Sequence, residues 1–365
     1  MSLDFSEEQN EIQSLARTIL ENEVNPDVLR GLGNDHAVMH RPLWHALGEA
    51  KLLGMGVPEM KGGAGFGEVE LGILLEEQGR VAAPIPLLSS LGGVAGFINR
   101  FGEGELLEKW LPKLCSGHSI GCIGVSCWAD APPEELRFQE GKLSGRLVAV
   151  KDGGLADCIL CPVGVQGGLH WYLVEVGRRG ISRVLQKTTD GQSSACYLFE
   201  SVLIEARDLV WRDETRGVSW DYLRSRMFAL GACLQVGLSE AQLALTASYA
   251  TERQQFGKPI GSFQAVAQRA GDSYIDLEAM RMTAFQAVWR MSVGESFLRE
   301  ALIARYIGCE GGHNITAAAQ HIHGGMGADR DYPLFRYCLW TRQLEMSYGG
   351  ANQILYSLGK LVSME

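Results

Sequence analysis

The stretch Tyr249-Ala-Thr-Glu-Arg-Gln-Gln-Phe-Gly-Lys-Pro-Ile-Gly-Ser-Phe-Gln264 separates two long helical patterns and belongs to neither. Upstream, Leu234, Leu238, Ala241 and Leu245 recur at helical spacing. Downstream, Phe263, Val266, Ala270, Tyr274 and Leu277 do the same. Between them Gly257, Pro259 and Gly261 forbid one continuous helix. The connector carries two cations, Arg253 and Lys258, and an aromatic ring, Phe256, and Gln264 adds an amide where the next helix begins. A guanidinium fork suits a phosphate or pyrophosphate, and a phenyl ring can stack on a planar group. Taken alone, the stretch also fits a charged loop between two helices.

Around it lies a chain of 365 residues, enough for two or three packed units. Hydrophobic residues make up 46% and charged residues 21%, the balance of a globular protein. A formal net charge of −10, with no Lys/Arg-rich run, argues against a nucleic-acid surface. A polyanionic ligand would need a local basic patch. No stretch reads as long and apolar enough to span a bilayer, and no signal peptide is visible, so a cytoplasmic location is expected. Cys158-Ile-Leu-Cys161 has the spacing of a redox or zinc pair, but it lies in an apolar strand-like run with no second pair. Core thiols are the expected reading.

In chain order, Ser6-Glu-Glu-Gln9 is a capping box followed by Ile12, Leu15, Ala16, Ile19 and Leu20 on one face. Helical patterns recur at Glu70–Val81, Pro86–Phe97 and Glu105–Leu111. From about Ser116 the period changes to two, and Ile120–Ser126, Lys142–Val150, Cys158–Val163, Leu169–Val176 and Ala195–Phe199 read as strands. From about Asp213 the chain is helical again. The expected fold class is α+β: a helical domain over 1–115, an antiparallel β-domain over 116–212 and a helical bundle over 213–365.

Gln320-His-Ile-His-Gly-Gly-Met-Gly327 closes a helical run with a glycine cluster. His321 and His323 are two apart and point to different sides of a helix, which weakens a metal reading. The glycines alone would also serve as a C-cap. With the 249–264 stretch, Val57-Pro-Glu59 ahead of Gly62-Gly-Ala-Gly65, and Asp331-Tyr-Pro-Leu334 followed by Arg336, this order closely resembles the acyl-CoA dehydrogenase family over nearly the whole chain. The resemblance implies an N-terminal helical domain, a middle β-domain and a C-terminal four-helix bundle. It implies a tetramer, FAD, an acyl-CoA thioester substrate and an electron-transfer flavoprotein-like acceptor. In that family the loop reaches the FAD of a neighbouring protomer. Arg253, Phe256, Gln264, Gln320 and the backbone at Gly324 and Gly325 are therefore expected to hold a neighbour's cofactor. Ser126 is expected at the chain's own.

The family's chemistry removes the α-proton of the thioester with a carboxylate while the β-hydride passes to the flavin. Most members carry that base as the Glu of Tyr-Glu-Gly-Thr. The matching stretch here is Tyr348-Gly-Gly-Ala351, and Gly349 stands at the base position. Some members use the helix before the loop, where this chain has Met227 and Phe228. Glu345 and Asp221 are the nearest acids in sequence. Ala149, Lys151, Gly349 and Ala351 depart from the residues that would serve the chain's own flavin, whereas those aimed at a neighbour's are kept. The expectation is a base-less subunit of a heteromeric acyl-CoA dehydrogenase that completes the FAD site of a catalytic partner. A self-sufficient flavoenzyme, a scaffold or CoA-ester binding subunit, and a flavin-dependent oxygenase on the same fold are the alternatives.

Overall fold

The computed structural model describes residues 5–31, 39–215 and 217–363. Helices α1 (Glu7–Glu23), α2 (Pro26–Gly31), α3 (Arg41–Glu49) and α4 (Glu68–Arg80) come first. A π-helical segment, Leu88–Ala95, leads into α5 (Gly96–Phe101) and α6 (Gly104–Cys115). Eight strands follow: β1 (Gly121–Ile123), β2 (Leu136–Gln139), β3 (Lys142–Lys151), β4 (Cys158–Val165), β5 (Gly168–Glu175), β6 (Ile181–Lys187), β7 (Ser193–Leu203) and β8 (Leu209–Asp213). Then come α7 (Val218–Glu252), the short strands β9 (Gln254–Gln255) and β10 (Lys258–Pro259), and α8 (Gln264–Ser292), α9 (Leu298–His323), α10 (Leu334–Ser347) and α11 (Ala351–Ser363). The helix–sheet–helix order is the expected fold class.

Two compact units emerge, and neither is one contiguous segment. The first gathers residues 5–31, 72–83 and 228–363; the second gathers 39–71 and 84–227 apart from residue 216. The cuts fall inside α4, after Leu71, and inside α7, after Met227.

The first unit is helical. α1 begins with the expected capping box, Ser6 and Gln9 satisfying each other's backbone N–H groups. The second half of α4 lies close against α7 because both helices offer glycine at the contact. A Cβ on Gly237 would sit 1.8 Å from the Glu76 carbonyl oxygen, and one on Gly79 would sit 2.3 Å from that of Leu234. The close approach buries Glu76 and Glu77, whose charges are answered by an arginine chain. Arg17 and Arg80 bond Glu77, Arg80 continues to Glu240, and Arg281 joins Glu240 to Glu76. Burial raises the Glu76 carboxyl above its ordinary range, against the opposing pull of Arg281.

α7 differs from the sequence expectation in one respect. By length and composition alone it is apolar enough to cross a membrane, yet 78% of its most apolar window is buried inside the fold. A long core helix and a spanning helix share that composition, and burial separates them here.

The second unit is built on a sheet of strand order β6-β7-β3-β2-β4-β5-β8, with β1 also on β4. Most pairings are antiparallel, as expected, but β1 and β2 each run parallel to β4. Leu143, Leu147, Val150, Ile159, Tyr197 and Phe199 contribute to its core. Cys158 and Cys161 are buried on β4, and burial raises both thiols. The wholly buried π-segment packs closely where it lacks side chains: a Cβ on Gly93 would strike Ile123 at 2.4 Å. Gly96 likewise leaves room for the Arg226 guanidinium, 2.3 Å from where its Cβ would stand. Arg226 is fully buried, donates to the Gly92 carbonyl and pairs with Glu68 at 2.5 Å.

Candidate functional site

The loop after α7 is a two-residue β-hairpin. Lys258 pairs with Gln255 and Pro259 with Gln254, which leaves Phe256 and Gly257 as the turn. Both have positive φ, 53° and 77°, the backbone of a type I′ turn. Gly257 adopts it freely, but a phenylalanine there is strained. The strain holds an aromatic ring that is 92% exposed, stacked on no core. Such an outlier points to function rather than packing. The Ile260 N–H donates to the Arg253 carbonyl at 2.8 Å and closes the loop. Phe263 faces Phe256 edge-on at 6.2 Å, and Lys258 lies 4.5 Å over the Phe263 ring.

Phe256, Phe263, Val266, Arg269, His321 and Ile322 line an open groove of ≈ 340 Å³. Arg253, Lys258 and Arg269 are exposed. None has a carboxylate within 4.0 Å among the described residues. Gln264 is exposed at the first position of α8.

The end of α9 borders the same groove. Gly324 breaks the helix with φ 59° and ψ −134°, a conformation open essentially to glycine. Gly324 and Gly325 are exposed, and a Cβ on either would meet nothing within 4 Å. The break is anchored by an aromatic stack. His323 lies on Tyr249 with centroids 4.4 Å apart, and its Nδ1 is 2.8 Å from the Ala319 carbonyl. The carbonyl can only accept, so Nδ1 carries the proton, and the Tyr332 hydroxyl at 3.2 Å donates to Nε2. Burial lowers the His323 pKa, which favours this neutral ring. Tyr249 therefore ties the 249–264 loop to the glycine break.

Gln320, expected at a neighbour's cofactor, makes two side-chain contacts within the chain. Its amide turns inward and donates to the Gly327 carbonyl at 2.8 Å and to Cys338 Sγ at 3.1 Å. The neighbouring His321 lines the groove instead.

Gly349 follows α10, buried, with φ 82°. A Cβ there would point at Gln353, 3.3 Å from its amide carbon. The Gly349 carbonyl accepts from Arg305, which is 1% exposed. Glu345 is bonded to Arg342 at 3.1 Å. Met227 and Phe228 are fully buried, as apolar core side chains are.

In the second unit, burial raises the Glu135 carboxyl above its ordinary range, and the nearby Ser126 backbone opposes that rise. Ala149 sits at an irregularity of β3 with φ 52°, and its N–H donates to the Gln186 amide at 3.0 Å. Asp152 is buried and accepts from the Ser89 hydroxyl at 2.5 Å, tying the β3–β4 turn to the π-segment. Burial raises its carboxyl, and Lys151 opposes that rise. Asp221 is likewise raised by burial, with Arg224 opposing.

Comparison with known proteins agrees with this geometry. The family described as acyl-CoA dehydrogenase, C-terminal domain, matches residues 225–359, and its N-terminal domain matches residues 6–118. The chain is 32% identical to acyl-CoA dehydrogenase FadE27 of Mycobacterium tuberculosis, over 99% of this chain and 98% of the relative. The solved ChsE4-ChsE5 complex from Mycobacterium tuberculosis contains a chain 31% identical, with TM-score 0.93 and 100% of both chains covered. A structure described as the Tcur3481-Tcur3483 steroid ACAD is 33% identical, with TM-score 0.90 over 98% of each chain.

Proposed function

Because the chain belongs to the acyl-CoA dehydrogenase family, we propose that it is the subunit of a heteromeric acyl-CoA dehydrogenase that completes a partner's FAD site and lends no base of its own. The observation that carries the reading is the strained, exposed Phe256 above an outward groove, set against a glycine at position 349.

The residues present fit FAD on one face of this chain. Phe256 can stack on a planar ring, while Arg253, Lys258 and Arg269 can neutralise a pyrophosphate. The open backbone at Gly324 and Gly325 can approach the cofactor without a Cβ in the way. His321 and Gln264 can hydrogen-bond to it from the rim. Bound there, FAD supplies the acceptor for the substrate's β-hydride. Removal of the α-proton needs a carboxylate, and Gly349 has no group to accept a proton. On this reading the proton goes to a carboxylate of the partner chain. On the side expected for this chain's own flavin, the Ala149 N–H is already bonded within the chain, to the Gln186 amide oxygen, which favours this reading.

Two solved relatives above 30% identity are described as pairs of named chains, ChsE4-ChsE5 and Tcur3481-Tcur3483. This supports a partner of the same fold that keeps the Tyr-Glu-Gly glutamate, in a tetrameric assembly. The substrate would be an acyl-CoA thioester, with the second relative's description as a steroid ACAD favouring a ring-bearing acyl group. An electron-transfer flavoprotein-like protein would take the electrons.

The test is to purify the chain alone and with its co-encoded partner, and to measure bound flavin and acyl-CoA oxidation with an artificial acceptor. Flavin and turnover should appear only in the complex. Since a general base contributes roughly 10²–10⁴-fold, turnover by the isolated chain with stoichiometric FAD would remove the proposal.

A further inference from the structure

A second pocket in the helical unit lies between α2 and the segment entering α10. It has a volume of ≈ 90 Å³, and its lining includes Leu29, Tyr332 and Tyr337 together with Arg30, Arg330 and Arg336. Asp331 is the one acid among its described lining residues. That aspartate is exposed and offers Arg30 its backbone carbonyl, at 3.1 Å. Arg30 also pairs with Asp27, an ion pair open to solvent. Arg330 and Arg336 have no carboxylate within 4.0 Å among the described residues. Arg336 is only partly exposed, and burial together with the Arg30 charge lowers its pKa.

A half-buried guanidinium beside a second guanidinium, with no carboxylate bonded to it, is unfavourable unless something negative arrives. The walls are fixed independently of that charge. Tyr337 donates to the Arg80 carbonyl at 2.8 Å, and Tyr332 is held by His323. The rings and Leu29 reduce the local polarity, which strengthens any ion bound there. The volume admits a single headgroup and is far below the roughly 300 Å³ at which pockets for larger ligands begin.

We propose that this pocket is a binding site for a small free oxyanion, a phosphate or a carboxylate headgroup gripped by Arg30, Arg330 and Arg336. The bound anion joins α2 to the start of α10 and stiffens the Tyr332 wall behind the glycine break of α9. The site is separate from the groove at Phe256, and its existence does not depend on the proposed function.

Thermal unfolding of the protein in its purified assembly tests it. Inorganic phosphate and butyrate are titrated separately at constant ionic strength, with chloride as the balancing salt. One or both should raise the midpoint saturably, and the arm that responds identifies the headgroup. Arg336→Gln should raise the anion-free midpoint, because it removes an unanswered half-buried charge, and should weaken the anion response by roughly tenfold or more. Arg330→Gln, on an exposed residue, should leave the anion-free midpoint unchanged and weaken the response. The inference is overturned by any of three results: no saturable rise with either anion, equal responses in wild type and both variants, or a lower anion-free midpoint in Arg336→Gln.

Discussion

Arg305 and Gly349 are joined by a hydrogen bond of 3.4 Å from the guanidinium to the glycine carbonyl. The same Nη2 donates to the Leu344 carbonyl at 2.6 Å and to that of Glu345 at 3.0 Å. One buried cation thus caps the C-terminal end of α10, where the helix dipole favours it, and fixes the turn at the base position. Gly349→Glu would force a side chain onto φ 82° and toward Gln353. The expected cost is about 1–2 kcal/mol by urea unfolding, with no acyl-CoA oxidation gained by the isolated chain. Turnover in that variant would show that only the carboxylate was missing.

Phe256→Ala should leave stability within about 0.5 kcal/mol of wild type, since the ring buries almost nothing. Flavin retention by the assembled enzyme should fall, read as the FAD-to-protein absorbance ratio after gel filtration. A stability loss with normal flavin content would return the hairpin to a structural role.

Gln320 and His321 should separate cleanly. Gln320→Ala removes the donor to the Gly327 carbonyl and should cost about 1–2 kcal/mol in chemical denaturation. His321→Ala, on an exposed side chain, should leave the denaturation midpoint alone and weaken flavin binding. The reverse pattern would restore the motif reading of Gln320.

Glu68→Ala leaves the fully buried Arg226 without its carboxylate. Burial opposes the Arg226 charge, and Glu68 and Tyr222 more than offset that opposition, so the guanidinium stays ionised. The expected loss is about 3–5 kcal/mol in equilibrium unfolding. A variant near wild-type stability would mean that water reaches the pair.

Asp213 gives the acid limb of stability. Burial raises its pKa, but hydrogen bonds from Ser219 and Thr215 outweigh that and leave it below the ordinary value. A depressed folded pKa means stability that is present above about pH 3.9 and is lost as pH falls through the lower folded value. Asp213→Asn should be less stable at neutral pH and show a shallower decline in urea midpoint on acidification. Parallel pH profiles would contradict this.

The sequence disclosed the fold because its helices are long and its main strands apolar. β6 escaped notice because nearly every position from Ile181 to Lys187 is exposed, so no alternation marks it. The hairpin was legible only as a helix break: the pairing of β9 with β10 and the positive φ of Phe256 are backbone facts. His321 was missed for a rotational reason. Neighbours on a helix point about 100° apart, and Ala318, Ala319 and Ile322, which mark the buried face of α9, put His321 outward. That spacing could have found it. The bond from the Ser89 hydroxyl to Asp152 could not be read from the sequence, because no local pattern announces a contact between a π-helical segment and the turn after β3.

α4 and α7 each cross a boundary between the two compact units, so the β-bearing unit is interrupted in the gene by twelve codons of the helical one. No single truncation liberates either unit intact. An expression fragment cut at residue 115 or 212 would carry an incomplete hydrophobic interior at both ends. Exchanging the β-bearing unit intact between related genes would require joins at four boundaries, two of them inside α4 and α7, rather than a swap at the visible loops.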